Sequence, residues 1–141
     1  MAAGRWSPIR RTADFLNEQE GSALVELALS IMLVLTVIFM TIELTSAIYT
    51  YVVLTDAANE GLRYAIVHSG DTSGAVNTVK TFAGYSIHDV SKMSVAVTYP
   101  DGSAVPPNRV AVTVTYNYVP YLGFMKHPPA MHAYAVSRLV N

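Results

Sequence analysis

Glu20-Gly21-Ser22-Ala23-Leu24-Val25-Glu26 is the stretch on which the fold turns, because it opens a long apolar run. From Leu27 to Ile42 the chain carries no charged residue, and the run is Leu, Val, Ile, Met and Phe with a few Ala, Ser and Thr. Counted from Ser22 to Ile42 it is 21 residues with one charge. That is enough for one membrane-spanning helix, which needs about 20 residues. The one charge, Glu26, sits about a turn inside the apolar part. A carboxylate at the centre of a span costs about 2.5–3.5 kcal/mol on insertion scales and less near the interface. A charge kept at that cost points to a role, and Gly21, five residues earlier, narrows it.

Residues 1–20 are polar and of mixed charge, with Arg5, Arg10 and Arg11 but no Lys. Arginines on this side of a span predict a cytoplasmic N-terminal segment and an exported C-terminal part. A secretory signal has an apolar core of about 7–15 residues and a small-residue cut site after it. The run here is longer and lacks such a site. A plain signal anchor is the alternative that these residues alone leave open.

Gly21, four uncharged residues, Glu26 and a long apolar helix together resemble the processing site of type IV pilin-like proteins. The wider string from Glu20 to Leu29, with Ile42-Glu43-Leu44, Tyr49-Thr50-Tyr51 and the segment Ala57-Ala58-Asn59-Glu60-Gly61-Leu62-Arg63-Tyr64-Ala65, is similar to the TadE-like pseudopilins of tight-adherence pilus systems. The resemblance is close from Gly21 to about Val67 and holds only in outline beyond. It implies that a prepilin peptidase cuts between Gly21 and Ser22. It also implies that Glu26, then fifth in the mature chain, pairs with the new amino terminus of a neighbouring subunit. The implied setting is a single-pass protein of the bacterial inner membrane with its C-terminal domain outside. The implied partners are TadF-like or Flp-like pilins and the pilus assembly machinery, and the implied task is assembly of the pilus, with adhesion and biofilm formation. Family pilins commonly start with an aromatic or apolar residue, whereas this mature chain would start with Ser22. The competing readings are an uncleaved membrane-anchored binding module and the structural subunit of the fibre itself.

The chain divides into three segments: a leader over 1–21, a transmembrane half of a long helix over 22–43, and an exported domain over 44–141. Glu43 marks the end of the apolar run, where its carboxylate is expected to reach interfacial water, and it is a second candidate helix contact. Beyond it Leu44, Ile48, Tyr51, Thr55, Ala58, Leu62 and Ala65 recur at alternating spacings of four and three, one stripe on a continuing helix. Asp56, Asn59, Glu60 and Arg63 lie away from that stripe. Gly61 costs a helix about 1 kcal/mol against Ala, which suggests a local weakness. Gly70 is a natural stop, Asp71 to Ala75 an N-cap region, and Ala75 to Ala83 a short helix with Val76, Val79 and Phe82 on one side.

Met93, Val95, Val97 and Tyr99 alternate with polar or small residues, and so do Val110, Val112, Val114, Tyr116 and Tyr118. These are two half-buried strands joined through Pro100-Asp101-Gly102-Ser103, an antiparallel hairpin. His132 to Val140 is a further strand, with Tyr134, Val136 and Val140 on one face. The fold class is α+β, a long N-terminal helix packed on three or four antiparallel strands. Between hairpin and last strand, Tyr121, Leu122, Phe124 and Met125 either fold back on the sheet or form an exposed partner patch.

The remaining chemistry is thin. Net charge is −1, which gives no basic field for nucleic acid. With no cysteine in the chain there is no disulfide, thiol nucleophile or Cys-type zinc site. His68, His88, His127 and His132 make no metal-binding spacing, and no nucleophile elbow or phosphate loop is present. No cofactor, metal or catalytic group is expected, and the reading is of a non-enzyme.

Overall fold

The computed structural model describes residues 9–87, 89–123, 128 and 130–140, with only the backbone for 9–20. In chain order come helix α1 (Ile9–Val67), helix α2 (Thr72–Gly84), a single 3-10 turn (Val90–Lys92), and strands β1 (Met93–Thr98), β2 (Arg109–Asn117) and β3 (Ala130–Arg138). The protein is α+β, a long apolar N-terminal helix with a small antiparallel sheet. The chain divides into two units, one ending at Thr41 and one from Ile42 to Asn141.

The described residues of the first unit are all helical. The backbone is helical well upstream of Ser22, where the sequence suggests that the helix begins, and it runs through Gly21 without a break. Every residue from Gly21 to Ile42 is exposed. Among the described residues, α1 is the one helix long and apolar enough to cross a membrane. Its many β-branched residues lower helix propensity in water. Where no water is available, a helix satisfies every backbone group internally whatever its side chains.

In the second unit, the part of α1 from Ile42 onward packs with α2 and the sheet around one core. Leu54, Val79, Val110, Val112 and Val114 are its largest fully buried side chains. The sheet order is β1-β2-β3, all antiparallel, with β2 in the centre. In register, Val112 lies opposite Val97 on one side and Ala135 on the other, and Val114 opposite Val95 and Ala133. These residues share the face turned to the core. Leu62 belongs to the same core cluster.

Three features differ from the sequence reading. First, the buried face of α1 keeps the expected stripe at Ala58, Leu62 and Ala65 but departs from it upstream. Glu43, Val53, Leu54, Ala57, Ala58, Gly61, Leu62 and Ala65 are buried, while Leu44, Ile48 and Tyr51 are at least half exposed. Half of these eight buried residues are Ala or Gly, with Val53, Leu54 and Leu62 packed among them.

Second, the β3 face of Tyr134, Val136 and Val140 is the outer one. Ala133, Ala135 and Leu139 point inward, whereas Tyr134, Val136 and Val140 are exposed. Again the small residues take the covered side. The inward residues of α2 are Ala75, Val79 and Ala83, with Phe82 exposed.

Third, Gly61 is a contact point. A Cβ there would land on Val79 Cγ2 and close to the Ala75 carbonyl oxygen, so glycine lets α1 and α2 touch.

Local chemistry fixes the ends of the elements. Gly70 has φ +89°, which turns the chain out of α1. Asp71 caps α2: its Oδ1 accepts from Gly74 N–H at 2.9 Å and from Ser73 Oγ at 2.9 Å, and its Oδ2 accepts from Tyr64 Oη at 2.8 Å. The Gly74 bond leads these in holding the Asp71 carboxyl below its ordinary pKa. The β1–β2 connection is closed by Asp101, which accepts from the backbone N–H of Arg109 at 2.8 Å and from its guanidinium at 2.7 Å. Arg109 holds that carboxyl at about 2.

Candidate functional site

Gly21 lies inside α1, with nothing within 4 Å of the position a Cβ would take. Ser22, Val25, Glu26, Leu29, Ser30 and Leu33 line one strip of the same helix, and helical periodicity sets Glu26 one turn from Ser22. Glu26 is exposed on this strip.

Glu43 stands in the opposite condition. It is 6% exposed and is the one buried charged residue among those described. Tyr118 Oη donates to its Oε1 at 2.8 Å, and the backbone N–H of Leu122 donates to its Oε2 at 3.1 Å. The expectation that Glu43 reaches interfacial water is therefore overturned. A buried carboxylate needs hydrogen-bond partners, and the end of β2 and the loop after it supply two. Burial, and then the bond to Glu43, push the Tyr118 hydroxyl well above its ordinary pKa. The phenol stays protonated and donates.

Beside this clip lies an open cleft of about 600 Å³. Four tyrosines, Tyr49, Tyr116, Tyr118 and Tyr121, line it, with Asp89 and Lys92 at its margin. Asp89 and Lys92 approach each other at 3.7 Å. The sequence offered no sign of this cleft, since its walls come from α1, the segment after α2 and the end of β2, which are far apart in the chain. The only available signal was the high tyrosine count of nine.

Of the four residues read as a partner patch, Tyr121 is 78% exposed and Leu122 39%. Phe124 and Met125 lie outside the described residues, as do His88 and His127. Among the described residues no group of His, Cys, Asp and Glu is placed to hold a metal.

Comparison with known proteins gives one match. Residues 21–63 fit the family model described as TadE-like protein. No curated protein and no solved structure matches the chain. The matched segment begins at Gly21 and takes in Glu26, Glu43 and Gly61, so it is this part of the chain that is similar to TadE-like proteins.

Proposed function

We propose that this protein is a pseudopilin that takes part in assembling a tight-adherence pilus. Its α1 segment from Ser22 to about Glu43 anchors it in the inner membrane, with residues 1–21 in the cytoplasm and the folded domain outside. A prepilin peptidase removes the leader after Gly21, and Glu26 then meets the new amino terminus of a neighbouring pilin-like subunit. The observation that carries this reading is the coincidence at Gly21. The family match starts there, an uncharged helix lies downstream, and the carboxylate stands five residues on.

The test is the mass of the chain recovered from membranes of a host that contains the peptidase. Wild type should begin at Ser22. Gly21→Leu should retain the 21-residue leader, because the side chain blocks approach to the bond. A wild-type protein that keeps its leader refutes processing.

A second reading is an uncleaved, membrane-anchored binding module. The tyrosine-lined cleft favours it, because aromatic rings with polar tips suit recognition of a partner. The same measurement separates the two.

A further inference from the structure

The tyrosine-lined cleft lies wholly within the second unit, and it holds a donor that the fold does not use. Tyr116 is 6% exposed, so its ring is buried, yet its hydroxyl makes no hydrogen bond among the described residues. No buried side-chain oxygen among them lacks a partner, so the Tyr116 oxygen is a part of the side chain that reaches solvent, and it does so in the cleft. Burial, then the charge of Asp89, then Tyr121, hold this phenol above its ordinary pKa. It stays protonated and is free to donate. Tyr118, two positions on, gives the same group to Glu43.

The rest of the cleft supplies acceptors and donors together. Ser46 and Thr50 give their protons to the carbonyls of Ile42 and Ser46, at 2.9 Å each, which leaves the hydroxyl oxygens able to accept. Asp89 turns Oδ1 to the Ser91 N–H and keeps Oδ2 3.7 Å from Lys92 Nζ. That is too long for a full hydrogen bond, so the carboxylate oxygen and the ammonium both have capacity left. Tyr49 and Tyr121, 56% and 78% exposed, stand as aromatic walls. The volume of about 600 Å³ falls within the range of small-molecule sites, about 300–1,000 Å³.

We propose that this cleft binds a neutral saccharide. A sugar hydroxyl both donates and accepts, so one ring can answer Tyr116, Lys92 and Asp89 together. Its C–H face packs on a tyrosine ring whose hydroxyl stays wet. An anion is opposed by Asp89 and by the Ser46 and Thr50 oxygens. An apolar ligand would displace water and leave the Tyr116 hydroxyl and the Asp89–Lys92 pair without partners. The proposal rests on the binding role that the cleft favours, to which it gives a ligand class, and it holds for a cleaved or an uncleaved chain.

The experiment titrates cellobiose, maltose and N,N′-diacetylchitobiose into the full chain in phosphatidylcholine nanodiscs, followed by calorimetry and by saturation-transfer NMR of the sugar. Sugar-headed detergents are avoided because they would compete. At least one of the three should bind, once per chain. Tyr116→Phe should weaken it roughly tenfold, the value of one hydrogen bond. The unfolding temperature should not move, because that hydroxyl has no partner in the fold. Tyr121→Ala should abolish saturable binding and Tyr121→Phe should keep it, since the ring is the wall. Asp89→Asn keeps a cap for the 3-10 turn and should weaken binding by a factor similar to Tyr116→Phe.

No binding of any of the three up to about 10 mM overturns the proposal. So does binding that Tyr116→Phe and Tyr121→Ala leave unchanged. Tetraproline or inorganic phosphate bound in place of the sugars would assign the cleft to a peptide or an anion and overturn the saccharide. The mass of the chain in the same preparation reads leader removal separately, so neither result stands in for the other.

Discussion

Glu43 and Tyr118 are 75 positions apart in sequence and form a buried pair. The bond is charge-assisted, and its value lies mostly in what its loss would leave behind. Tyr118→Phe keeps the ring but leaves Glu43 Oε1 without its donor. An unsatisfied buried group costs about 1–3 kcal/mol, and more when charged. We predict a loss of at least that size in thermal unfolding of the detergent-solubilised chain. The restoring control is Tyr118→Phe with Glu43→Leu, which removes the unpaired carboxylate and should recover part of the loss, the remainder reflecting the Leu122 N–H left without its acceptor. The pH dependence has a definite sign. The folded-state pKa of Tyr118 is raised above the ordinary 10.0, so its stabilisation is complete below about pH 10 and fades as pH climbs towards the folded value. Tyr118→Phe should flatten that alkaline decline. An equally steep decline in the mutant would show that other groups cause it. None of this was visible in the sequence. Glu43 reads there as a boundary residue, because hydropathy counts a charge without seeing the partners that bury it.

At the scale of elements, the helix–helix contact at Gly61 gives two readings with opposite signs. As a weak point in an isolated helix, Gly61→Ala should stabilise by about 1 kcal/mol. In the folded protein the new methyl meets Val79, which is fully buried and stiff at its branch. Overpacking costs about 1–3 kcal/mol, so we predict net destabilisation. Val79→Ala in the same chain should make Gly61→Ala less harmful, and an additive double mutant would argue against the contact. The strands were legible because alternation survives in β1 and β2, where one face is buried and large. The α2 cap was legible because Asp71 needs only its own neighbours to form it. The upstream part of the stripe on α1 was misassigned, and the inward side of β3 was not marked in the sequence, for one shared reason. The inward positions there are rich in Ala and Gly and include one Glu, while Leu44, Ile48, Tyr134 and Val136 face outward. On elements with apolar residues on both sides, hydrophobicity no longer marks the inside, and only the packing of the folded domain decides.

At the scale of the whole molecule, Glu26 and Glu43, which bracket the uncharged run of α1, differ in kind, and this is testable. Glu43 has its partners within its own chain. Glu26 lies exposed on a strip with Ser22, Val25 and Leu29, and its charge has to be compensated from outside once that strip is in a membrane. Under the proposed function the compensating cation is the amino terminus of a neighbouring subunit. Glu26→Gln keeps the shape of the side chain and removes the charge. The change should leave insertion, cleavage at Gly21 and the unfolding of the domain as they are, because none of these uses the carboxylate. It should abolish recovery of pilin-like partners after crosslinking in membranes. Glu43→Gln should give the reverse pattern, a less stable domain that still finds its partners when folded, since the two donors meet different oxygens of Glu43 and one of them would face the donating NH₂. The measurement is crosslinking yield alongside unfolding temperature for the two variants, with the Ser22 terminus verified by mass spectrometry. Wild-type crosslinking by Glu26→Gln would remove the pairing role and leave Glu26 as a charge tolerated near the membrane surface.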